Sequence, residues 1–146
     1  MIVRMAGLAL DARAATRTRD PHQLAVAARW IAANALAIRR IRIVVDGTAP
    51  ARSCVFGVRI GTLTGVLAAI AAVPALVDAT TLPRRWRLAL EALGVPVVDR
   101  PIEQVLASGV SIMSASRAAA DCMVEVEPSA AGFRVHLAST ARMLVA

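Results

Sequence analysis

The order of apolar segments predicts a single α/β domain, mostly parallel sheet flanked by helices, with a C-terminal β-hairpin. Between residues 41 and 113, short β-branched runs alternate with helix-like runs over short connections, the pattern of a parallel sheet covered by helices. After residue 120 the pattern changes. Residues 123–127 and 132–137 each alternate apolar with polar positions about the turn-forming stretch 128–131, which reads as a hairpin at an antiparallel edge. The 146 residues suffice for one buried core, and an apolar share of 58% is too high for disorder.

The elements follow in order. Residues 1–20 carry Arg4, Arg13, Arg17 and Arg19 without periodicity and predict a flexible basic arm. The remaining residues, 21–146, form the domain. Asp20-Pro21 is a helix entry, with Asp as cap and Pro in the first turn. The helix over 22–39 buries Leu24, Ala28, Ile31 and Ala35 at three- and four-residue spacing. Residues 41–45 (IRIVV) predict a strand ended by Asp46-Gly47, and residues 54–56 a second strand. A helix over 62–72 and a strand over 75–77 come next. Pro83 opens a helix that stops at Gly94, and residues 95–98 form a buried strand. Pro101 opens a short helix ended by Gly109, before a strand over 110–113.

The 18 uncharged residues 60–77 reach the minimum length of a membrane span. They contain Gly61, Gly65 and Pro74, however, and Pro74 breaks a helix near its end. A buried helix followed by a buried strand is the expectation. The net charge is +7, and all 17 basic residues are Arg. A codon bias toward GC accounts for the missing Lys, the missing Tyr and the abundant Ala together. Guanidinium groups nonetheless favour phosphate-bearing or otherwise anionic partners. Nucleic acid is disfavoured, because aromatics are 3% of the chain and no nucleic-acid fingerprint occurs. Cys54 and Cys122 form no metal-binding spacing with His22 or His136, so neither metal nor cofactor is expected. Two lone thiols, and a start whose apolar run is too short for a secretory signal, predict a cytoplasmic protein. The oligomeric state is not legible.

Three local arrangements bear on chemistry. In CVFGVRIGTLTG a strand meets a helix start, where free N–H groups and Arg59 could hold an anion while Gly57 and Gly61 admit close approach. Alternatively the glycines serve tight packing and Arg59 is solvated. The cluster Arg84, Arg85, Trp86 and Arg87 fits an anionic or membrane surface, or else a solvated face with Trp86 turned inward. Asp46, Asp78 and Asp99 follow strands, where ligands gather in parallel sheets and where Asp also caps turns. No nucleophile motif is intact: Gly109-Val110-Ser111-Ile112-Met113 departs from G-x-S-x-G at its last position.

About half of the chain resembles the glycerolipid acyltransferases, the 1-acylglycerol-3-phosphate and lysophospholipid enzymes. Residues 30–43 match that family's leading helix and strand, and Val45-Asp46-Gly47 its turn. Val55-Phe56-Gly57-Val58-Arg59-Ile60 falls at its Asn-His block, and residues 67–77 at the helix and strand after it. Arg85-Trp86 and Leu93-Gly94-Val95-Pro96-Val97-Val98-Asp99-Arg100 match the second block, the most specific piece. The resemblance implies that Arg100 helps to hold an acceptor phosphate and that the protein sits at the inner membrane face. Two departures bear on catalysis. Arg59 stands where the family has its general-base His, and Thr64 where it has the orienting Asp. Arg accepts no proton at neutral pH. Met113-Ser114-Ala115-Ser116 occupies roughly the place of Phe-Pro-Glu-Gly.

The expectation is therefore a degenerate acyltransferase-like protein with no catalytic residue. It would bind lipid phosphate, acyl-CoA or an anionic membrane surface through Arg59, Arg100, Gly57 and Gly61 and through the basic cluster at residues 84–87. The alternatives are an active acyltransferase with an unrecognised base, and a structural or partner-binding α/β domain.

Overall fold

A computed structural model describes residues 20–59, 61–116 and 120–140. The expected N-terminal arm lies outside them, apart from Asp20. Among the described residues four α-helices flank a seven-stranded sheet, in chain order α1 (Pro21–Ile38), β1 (Arg42–Asp46), β2 (Val55–Val58), α2 (Leu63–Ala72), β3 (Ala75–Asp78), α3 (Arg84–Ala92), β4 (Val97–Val98), α4 (Ile102–Ala107), β5 (Ser111–Ser114), β6 (Cys122–Ser129) and β7 (Gly132–Ser139). The strand order is β1-β7-β6-β2-β5-β3-β4. All pairings are parallel except β6 with β7. The α/β architecture with a C-terminal hairpin is thus as the sequence predicts.

One expectation is corrected. The hairpin is not a sheet edge, because β7 is covered by β1 and β6 by β2. Only long-range pairing of β1 with β7 reveals this. The hairpin is also longer than the alternation suggests, since its register runs from Cys122↔Ser139 to Ser129↔Gly132. Pro128 is accommodated because the ladder of β6 with β2 stops at Val124, so its missing N–H leaves no gap there.

Strand alternation divides the core in two. Phe56, Val77 and Met113 enter the larger cluster, which α1 and α2 complete with Ile31, Leu36, Leu67 and Ile70. Their chain neighbours Val55, Leu76 and Ile112 point to the opposite face, where Val105 of α4 meets them. Alanines such as Ala28, Ala32, Ala68 and Ala69 are fully buried between α1 and α2, so the alanine excess serves close helix approach. Arg29 of α1 donates to the Ala71 carbonyl at the carboxyl end of α2, where the dipole favours a cation.

The helix ends follow local rules. Asp20 accepts from the His22 N–H at 3.1 Å and caps α1. Its carboxyl end is a Schellman turn, in which Ile41 N–H donates to the Leu36 carbonyl and Arg40 N–H to that of Ala37. The left-handed position falls on Arg40, at φ 58°, whereas α3 has Gly94 there. Among the described residues no helix is long and apolar enough to cross a membrane.

Candidate functional site at the strand carboxyl edge

β2, β5, β3 and β4 are neighbours and run in one direction, so their carboxyl ends share one edge of the sheet. In open parallel sheets ligands gather at that edge. Arg59 follows β2, residues 114–116 close β5, Asp78 ends β3, and Asp99-Arg100 follow β4. Arg59 and Arg100 are three strand spacings apart, about 14 Å at the usual inter-strand distance. They do not form one contact site, and they line separate pockets.

The Arg59 pocket has a volume of about 340 Å³. Gly61, Thr62 and Gly65 form one wall, and Glu125, Val126, Glu127 and Phe133 of the hairpin form the other. Thr62 caps α2 by accepting from the Gly65 N–H at 3.1 Å, so part of the helix terminus is already satisfied. The hydroxyl of Thr64, at the position of the family's orienting Asp, lies 3.3 Å from that of Thr62. The carboxylates of Glu125 and Glu127 share this pocket with one guanidinium.

The Arg100 pocket, of about 510 Å³, is lined by Asp78, Thr80, Thr81, Asp99, Ser114 and Ser116 among others. Asp78 and Ser114 are the buried polar side chains among the described residues. Asp78 accepts from the Thr80 N–H at 3.0 Å and from its hydroxyl at 2.8 Å, so it holds the turn after β3. Ser114 accepts from the Ser116 N–H at 3.0 Å. These groups shape the loops and leave Arg100 exposed at the rim.

Next to it, α3 bounds a groove of about 460 Å³ lined by Arg84, Arg87, Leu88 and Glu91. Thr80 belongs to both this groove and the Arg100 pocket, so the two adjoin. Arg84, Arg85 and Arg87 are exposed, and Leu88 beside them is 51% exposed. Arg87 pairs with Glu91 at 3.2 Å on the solvated surface, a contact of little energy.

Two expected site residues are wholly or partly buried. Gly57 is buried in β2, and a Cβ there would lie 2.7 Å from the Ala120 Cβ and 3.0 Å from the Met123 sulfur. The close approach of these neighbours suits a residue without a side chain. Trp86 is half-buried, with its indole N–H enclosed and unbonded, so Leu88 is the exposed apolar side chain of α3. Arg85 stacks on that ring at 5.0 Å.

The sequence reading missed one cluster. His136 of β7 places Nε2 3.0 Å from a Glu127 oxygen and Nδ1 3.4 Å from an Asp46 oxygen. Arg134 reaches the same Asp46 oxygen at 3.4 Å. The alternation of Arg134 with His136 and of Glu125 with Glu127 places them on one sheet face. The partner Asp46 follows only from the register of β1 on β7. His22, by contrast, contacts the Ser108 carbonyl at 3.2 Å and ties α1 to the end of α4.

Both thiols are buried and free. Burial pushes the Cys54 thiol up to about 11, with nearby Cys122 and Asp121 adding to the rise and the Ser111 hydroxyl opposing it. Cys122 is raised as well, first by burial. Neither is a nucleophile at neutral pH. Among the described residues no group of His, Cys, Asp and Glu has the arrangement to hold a metal ion. No family model matches the chain, and neither a curated protein nor a solved structure matches it significantly.

Proposed function

We propose that the chain is a degenerate acyltransferase-like domain. It docks on phosphate-bearing lipid at a membrane surface and transfers little or no acyl group. The observation that carries this reading is the placement of α3. Its first turns bring Arg84 and Arg87 together beside exposed Leu88, in a groove that adjoins the Arg100 pocket, while exposed Arg85 stacks on Trp86 outside that groove. Guanidinium groups bind phosphate oxygens in a fork, and a leucine among them suits the acyl boundary beneath the headgroups. Lipid phosphate, the phosphates of acyl-CoA and an anionic bilayer share this chemistry. Residues 59, 100 and 114–116, which the resemblance sets against the family's blocks, follow or end neighbouring parallel strands at one sheet edge, which agrees with the reading. Arg59 and Thr64 supply no base and no carboxylate to orient one. A peripheral place on the inner membrane face follows from the same reading.

Flotation with vesicles tests this directly. Binding is expected with anionic lipid at low salt and not with phosphatidylcholine alone. The triple variant Arg84→Ala, Arg85→Ala, Arg87→Ala is expected to lose roughly a hundredfold in partition, at about 1 kcal/mol per Arg. Equal binding by the variant would refute the role of α3.

A second reading, an active acyltransferase with an unrecognised base, is favoured by one observation: Glu127 in the Arg59 pocket wall is contacted by His136, which in turn contacts Asp46. Turnover of acyl-CoA with a lysophosphatidate acceptor that is lost in both Glu127→Gln and His136→Gln would favour it over the first.

A further inference from the structure

The two edges of the sheet, β1 and β4, are built differently. β4 is two residues long and is confined by Pro96 and Pro101, which blunts it against pairing. β1 is five residues of sequence RIVVD, and its Val44 and Val45 are 51% and 40% exposed. Its backbone phase is set by the bond from Arg42 N–H to the Ala131 carbonyl. In a parallel ladder with Arg42 opposite Gly132, that bond turns both polar groups of Arg42, Val44 and Asp46 toward β7. The N–H and C=O groups of Ile43 and Val45 therefore point outward. Among the described residues no strand other than β7 pairs with β1.

We propose that β1 pairs antiparallel with β1 of a second copy of this chain, across a two-fold axis at Val44, so that the two sheets become continuous. This register is the self-complementary one. Ile43 faces the partner's Val45, and the outward groups of both exchange two hydrogen bonds at each of the two symmetric positions. Val44 meets its own counterpart at the axis, in a non-hydrogen-bonded pair where side chains approach most closely. Arg42 then faces the partner's Asp46 on the same sheet face, twice by symmetry. Asp46 already contacts Arg134 and His136, so the incoming guanidinium joins an existing charge cluster. A shift of the centre to Ile43 sets Arg42 against Val44, and a shift to Val45 sets it against Thr48, so either loses both ion pairs. Such an isologous contact closes on itself and leaves no growing edge, since the remaining edges are the blunted β4 strands.

Sedimentation velocity on the full chain over a concentration series tests the pairing. A reversible dimer is expected. Arg42→Asp is expected to weaken it by about tenfold, because two attractive pairs become repulsive. Combining Arg42→Asp with Asp46→Arg is expected to restore it. A wild type that stays monomeric, or a dimer indifferent to Arg42→Asp, overturns the proposal. Hydrogen exchange of the Ile43 and Val45 amides in the unaltered protein is the second readout and needs no variant. Protection that rises with concentration supports the proposal. Protection independent of concentration would mean that the chain covers its own edge, and absent protection that nothing does, and either result overturns it.

Discussion

The two halves of the sheet differ in what covers them. In the half formed by β2, β5, β3 and β4, the strands VFGV and ALVD are buried at every position, with α1 and α2 on one face and α4, joined by Leu24 and Ala25 of α1, on the other. In the half formed by β6, β7 and β1, one face packs Val124, Val135 and Leu137 against the core while the other carries Glu125, Glu127, Arg134, His136 and Asp46. The difference separates two jobs. The covered half is a rigid frame that aligns loops along one edge, where Arg100 and α3 make a basic rim. The half-open part presents a charged face and an unblunted strand.

The largest effect that would sharpen this contrast is in the core. Leu76→Ala in the covered half should cost about 2–5 kcal/mol in urea unfolding, because Leu76 is fully enclosed. Leu137→Ala, at a partly buried site, should cost about 1–2 kcal/mol. Equal costs would break the contrast. Alkali comes next. Cys54 is protonated in the folded state up to about 11 but ionises near 9.0 when unfolded. The unfolded chain therefore binds fewer protons between these values, and stability should fall by up to about 3 kcal/mol as pH rises through that window. Cys54→Ser should flatten that slope in pH-dependent unfolding.

A smaller effect is expected where the hairpin half joins its edge. A Cβ on Gly132 would fall on the Arg42 carbonyl oxygen. Gly132→Ala should therefore cost about 1–3 kcal/mol and loosen β1 in hydrogen exchange, while the amides of β3 stay protected. The smallest change is a gain. Arg40→Gly relieves a left-handed residue at the end of α1 and should raise stability by about 0.5–1 kcal/mol in thermal unfolding.

These sites also show how much of the fold was legible. The covered half was readable because its information is local. β-branched runs, Pro83, Gly94 and Gly109 mark strands and helix ends through the backbone geometry of single residues. The hairpin was readable from alternation, but its interior place was not, because pairing of β1 with β7 joins residues about ninety positions apart. The site was readable only as positions. Arg59 and Arg100 fall on one edge as a parallel sheet requires, yet the strand order sets them in separate pockets. At Gly57 the sequence left close packing and ligand approach both open, and it does not reveal Ala120 and Met123 standing over the position. The His136 cluster was hidden for the same reason as the hairpin's position.

On the proposed function, the basic side chains of α3 and Arg100, and not the Arg59 pocket, would meet the lipid phosphates. Vesicle partition of Arg59→Glu and of Arg84→Glu/Arg87→Glu, measured side by side with anionic lipid, separates the two. Near-normal binding by the first and loss of binding by the second are expected. The reverse order would contradict the proposed function.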